Sequence, residues 1–170
     1  MQLNGPSGGL LISNHWEGSN SNRPNFDHHA FQTLNEFPIS SAETLTIGGY
    51  HASARPENEE PIVYQTLLRM NNLRTLTLTD CTNLSFLALN PFRNNSNAVA
   101  CPNLEKLILY AKTQRGLHTQ DPLEMARERD SIGVRLSTIN VTSWWKVLSG
   151  DELFDLRSYA SHVRAGSWYW

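Results

Sequence analysis

Cysteine is scarce in this chain, with Cys81 and Cys101 the two copies in 170 residues. Two thiols make neither a disulfide framework nor the paired C-x-x-C of a metal knuckle. They read as reduced thiols rather than as the staple of a secreted scaffold. Long apolar runs are also missing. Leu10, Leu11 and Ile12 form the run near the N-terminus, far short of the roughly 20 residues that span a bilayer. No basic segment precedes it, as a signal peptide would require. Charged residues are few, 18% of the total, and the formal net charge is −2. The chain as a whole is not drawn to nucleic acid or to acidic lipid. These absences point to a cytoplasmic or nuclear protein with no membrane and no nucleic-acid partner.

What is present is a globular apolar content of 39%, arranged periodically. An apolar-x-apolar core recurs at Leu45-Thr-Ile47, Leu76-Thr-Leu78, Leu107-Ile-Leu109 and Ile139-Asn-Val141. The steps from Leu45 to Leu76, Leu107 and Ile139 are 31, 31 and 32 residues. Three places upstream stand Ala42, Leu73, Leu104 and Leu136, in the same frame. "GGLLISNHW" near Leu10 reads as a degenerate first copy. Each core alternates apolar with polar, the pattern of a strand with one buried face. The other face then carries Thr44, Thr46, Thr75, Thr77, Thr79, Lys106, Ile108, Tyr110, Thr138, Asn140 and Thr142.

Helical segments fill most gaps. "FDHHAFQTLNEFP" offers Asp27 as N-cap and Pro38 as stop. "EPIVYQTLLRMNN" has Pro61 in its first turn and Val63, Leu67 and Met70 on one face. "DPLEMARERDSIG" places Asp121 as N-cap, Glu124 in a capping box and Gly133 at the C-terminal stop. "GDELFDLRSYASHV" is read as a helix capped by Asp151, with Leu153, Leu156, Ala160 and Val163 along one stripe and Gly166 beyond the end. Residues 90–103 fit no helix and read as an irregular return, while 14–25 and 48–60 read as exposed loops. A strand and a helix cannot bury their apolar faces alone. Stacking such units gives an α/β solenoid, a curved parallel sheet of about four or five strands with outer helices. The whole of 1–170 forms one such domain.

The stretch Leu73, Leu76, Leu78, Cys81 and Leu84 matches the leucine-rich-repeat consensus. Beyond it, "FPISSAETLTIGG", "MNNLRTLTLTDC", "CPNLEKLILY" and "RERDSIGVRLSTINVTSW" followed by "DELFDLRSYASHV" resemble the C-terminal repeats of fungal, basidiomycete-type F-box proteins. Tyr50, Lys112 and Trp144 depart from the consensus at the Asn/Cys position. The resemblance implies the substrate-recruiting part of an SCF-type ubiquitin ligase, and the C-terminal part of a longer architecture. No F-box is seen in these residues, so contact with the ligase adaptor depends on one upstream. Without it the reading becomes a generic or degenerate repeat scaffold.

Other chemistry finds little footing. "DHH" at 27–29 has its histidines about 100° apart on a helix, which does not make a shared ligand face, and no metal or other cofactor is expected. Cys81 and Cys101 lack an activating neighbour in sequence and read as packing or turn residues. "RMNNLR" and "MARERD" read as ordinary helix faces. Glu57, Glu59 and Glu60 read as a solvated loop. Trp144, Trp145, Trp168 and Trp170 read as an end-cap for the stack or as an interaction anchor. The expectation is a non-catalytic module that binds a protein or peptide on its threonine-rich face.

Overall fold

A computed structural model of the chain describes residues 2–5, 8–11, 32–48, 62–79, 89–90, 98–111, 120–143 and 148–167. The order of elements is β1 (Gln2–Gly5), β2 (Gly8–Leu11), a 3-10 turn (Ile39–Ser41), β3 (Thr44–Gly48), α1 (Ile62–Leu68), β4 (Thr75–Thr79), β5 (Lys106–Ala111), α2 (Gln120–Ser131), β6 (Leu136–Ser143), α3 (Gly150–Tyr159) and β7 (Ala160–Ser167). Residues 32–35 are also helical and stop short of Pro38. All seven strands join one sheet in the order β2-β1-β3-β4-β5-β6-β7. From β3 to β7 every neighbouring pair is parallel and follows chain order.

The repeating frame sets the register. Leu45, Leu76, Leu107, Ile139 and Val163 lie side by side, as do Ile47, Leu78, Leu109, Val141 and Ala165. The eight inward residues expected on β3 to β6 are all buried, as are Ala42, Leu73, Leu104 and Leu136 upstream of them. All of these but Ala42 form one core with Val63, Tyr64 and Leu67 of α1, Met125 and Ala126 of α2, and Leu156 of α3. The helices therefore supply one side of the sheet.

Turn-to-turn hydrogen bonds repeat with the frame. The Glu43 carbonyl accepts from the amides of Arg74 and Thr75, that of Arg74 from Glu105 and Lys106, and that of Glu105 from Ser137 and Thr138, at 2.9–3.0 Å. Side chains reach back in the same way. The Asn72 amide donates to the Ser40 carbonyl (3.0 Å) and the Asn103 amide to the Asn71 carbonyl (2.8 Å).

Four expectations need correction. The copy near Leu10 is not a parallel repeat strand: β2 pairs antiparallel with β1, and β1 antiparallel with β3. The helix expected to run to Val163 stops at Tyr159, and Ala160–Ser167 is a fifth parallel strand beside β6. Ala160 and Val163 satisfy a helical stripe and the strand frame equally; pairing along β6 favours the strand. The cap of this helix is Ser149, not Asp151. Ser149 Oγ accepts from the Glu152 amide (3.2 Å), and the Glu152 carboxylate accepts from the Ser149 amide (2.8 Å), a complete capping box. Asp121 lies inside α2, which already includes Gln120. The stop at Gly133 is as expected: φ is +78°, the Gly133 amide donates to the Asp130 carbonyl and the Val134 amide to that of Arg129, the Schellman pattern.

Asp27, His28, His29, Pro61, Cys81, Trp144, Trp145, Trp168, Trp170, the loop at 14–25 and nearly all of 48–60 lie outside the described residues.

Candidate binding face

The strand side chains that do not enter the core line the opposite side of the sheet in three rows. The first is Thr44, Thr75, Lys106, Thr138 and His162. The second is Thr46, Thr77, Ile108, Asn140 and Arg164. The third is Gly48, Thr79, Tyr110, Thr142 and Gly166. All eleven residues expected on this face are there, and each is half-buried between its neighbours. His162, Arg164, Gly48 and Gly166 are additions, all exposed. The sequence reading missed the β7 pair because it took His162 as helical and assigned no strand beyond Val163.

Strands about 4.8 Å apart, with alternate residues about 6.6 Å apart along each, give a face of roughly 19 by 13 Å. Its centre is apolar and aromatic, Ile108 beside Tyr110. The rest is mostly threonine. Neither Lys106 nor Arg164 forms an ion pair among the described residues. Asn140 sits between Ile108 and Arg164 in its row. Its Oδ1 is buried and has no hydrogen-bond partner there. A buried amide oxygen left unbonded is costly, about 1–3 kcal/mol. Gln2 extends the second row beyond Thr46 and is exposed.

The helix side holds a buried polar group that its sequence did not announce. Arg129 of α2, read as part of an ordinary helix face, is fully buried. Its Nη1 donates to the Ala100 carbonyl (2.9 Å) and its Nη2 to the Cys101 carbonyl (2.8 Å). Burial lowers its pKa. Cys101 beneath it has φ +49°, and its thiol donates to the Leu67 carbonyl (3.3 Å). Burial pushes this thiol up to about 12, against a smaller opposing effect of Arg129. A thiol so held is protonated at neutral pH and a poor nucleophile. Tyr64, also fully buried, donates its hydroxyl to the Ala98 carbonyl (2.8 Å). These groups tie the irregular turn at 98–103 to the units on either side.

Among the described residues, no three His, Cys, Asp or Glu side chains gather as a metal site. No helix there is long and apolar enough to cross a membrane. No protein-family model, curated protein or solved structure matches the chain.

Proposed function

We propose that the chain is a leucine-rich-repeat solenoid that binds a protein or peptide on its threonine-rich face and performs no chemistry there. One observation carries this reading. Five parallel strands run in chain order with their rows in register, and among the described residues the helices join the core on one side of them. A doubly wound sheet would have helices on both faces and near-continuous apolar strands. Here the second face alternates to polar residues that are half-buried among themselves, with Ile108 and Tyr110 at the centre. Unit-to-unit bonds such as Asn72 to Ser40 and Asn103 to Asn71 support stacking of one motif.

The test is site-specific photo-crosslinking. A photoreactive phenylalanine at position 110 should capture a partner from native extract. The Ile108→Ala, Tyr110→Ala variant should lose that partner while keeping its circular dichroism. Crosslinks formed only from position 154, where Phe154 is 72% exposed on α3, would move the interface to the helix side and sink the proposal. The substrate-recruiting role in a ubiquitin ligase is the finer form of this reading. It needs an F-box joined to the same polypeptide, and co-purification with a ligase adaptor tests it. Capture of nothing from either position would leave the second reading, a degenerate scaffold.

A further inference from the structure

The chemistry of the face narrows what it takes. Across all three rows, from β3 to β7, no position is an aspartate or a glutamate. The charges present are the cations Lys106 and Arg164, with the imidazole of His162 beside them. Lys106 and His162 share the first row with Thr138 between them, and Arg164 is in the next row beside Asn140. All three therefore ring Thr138 and Asn140 on β5 to β7. Among the described residues, Glu43 and Glu105 stand one residue before β3 and β5. Glu105 is held by Arg74 at 2.6 Å, which leaves Glu43 at the far side of the sheet, before β3. This is charge asymmetry in a chain whose net charge is −2.

Asn140 adds a polar contact beside those charges. It is half-buried, between Ile108 and Arg164 across the sheet. Its carboxamide N–H can donate to a peptide carbonyl. We propose that the part of the face on β5 to β7 binds an extended acidic peptide segment, its carboxylates set against Lys106 and Arg164 and its backbone bonded to Asn140. The proposal rests on the binding reading above. About three extended residues at roughly 3.3 Å each cross the three strands. Nucleic acid fits less well: two fixed cations and one aromatic, Tyr110, are a thin electrostatic and stacking footprint.

The experiment is a display selection of random peptides on the full chain, run in parallel on the Lys106→Glu, Arg164→Glu variant. Selected peptides should be enriched in Asp and Glu on the native chain and lose that bias on the variant. A selected acidic peptide, fluorescently labelled, should bind the variant at least about tenfold more weakly. Lys106→Gln, Arg164→Gln serves if charge reversal disturbs the sheet, and Asn140→Ala should weaken the same peptide. Peptides that require Ile108 and Tyr110 yet show no acidic bias would overturn this inference and leave the binding reading standing. If no peptide requires those two residues, both fail. Displacement of the peptide by single-stranded RNA, bound through Lys106 and Arg164, would overturn the peptide assignment in favour of a nucleic acid.

Discussion

Replacing Arg129 should separate hydrogen bonding from packing in the middle of the stack. The guanidinium is fully buried and has no carboxylate partner among the described residues; its acceptors there are two carbonyls, of Ala100 and Cys101. The Cys101 carbonyl also accepts from the Leu104 amide at 3.0 Å, so it keeps a bond when Arg129 is removed. The Ala100 carbonyl has no second donor among the described residues and is left orphaned. Arg129→Met keeps most of the apolar stem, so its cost should be near that of one orphaned carbonyl, about 2 kcal/mol. Relief of the buried charge, whose Nε is already unbonded, works in the opposite direction. Arg129→Ala also loses stem packing and opens a cavity, for a total of about 4 kcal/mol. Urea unfolding followed by circular dichroism gives both values, and the difference between them isolates the stem. A methionine variant as stable as the native chain would refute the reasoning. It would mean that burying the charge costs as much as the two bonds return.

Two further outcomes concern single positions. Gly133→Ala should lower stability by about 1 kcal/mol, read as a fall in melting temperature of a few degrees; a Cβ there meets nothing within 4 Å, so the loss is purely conformational, and an unchanged melt would remove φ as its cause. Cys101 should make the protein alkali-sensitive. Its thiol is pushed up to about 12 when folded, against an ordinary 9.0; its contribution is whole below about pH 9 and is lost as pH rises toward 12, at up to about 1.4 kcal/mol per pH unit. Cys101→Ala should flatten that slope in pH-dependent unfolding, and an identical slope would show that the thiol is not the titrating group.

The inward leucines and the polar rows of β3 to β6 were legible in the sequence because a one-residue error would have turned every leucine outward. β7 was not, although its signal was there. "ASHVRAGSW" lies over "LSTINVTSW" with Ala160 on Leu136, Val163 on Ile139 and Ala165 on Val141. The step from Ile139 to Val163 is 24 residues, outside the interval of 31 or 32, and small alanines weaken the strand pattern. The start of the chain failed for another reason. "GPSG" between Leu3 and Leu10 is a turn signal, and β1 and β2 pair through Gly5 and Gly8. A single apolar patch near Leu10 could not say which neighbour it would pair with, or in which direction. Arg129 was illegible because its acceptors are backbone carbonyls near residue 100, and no composition rule marks a carbonyl as waiting for a donor. The polar strand positions of β3 to β6 follow from the alternation and those of β7 did not, so the positive charge on that side of the sheet was undercounted.

The carbonyls of Glu43, Arg74 and Glu105, each taking two amides from the next turn, make the stack modular in a strict sense. An insertion of one residue before a strand offsets both bonds of that carbonyl and turns the strand's leucines to the wrong side. An insertion of a whole unit offsets nothing, because the new carbonyl receives the old pair of amides and offers its own to the next. Chain length can therefore change here in whole units with little disturbance and in single residues hardly at all. Duplication and deletion of complete units are the length changes such an architecture tolerates, and each one lengthens or shortens the threonine-rich side of the sheet by one strand.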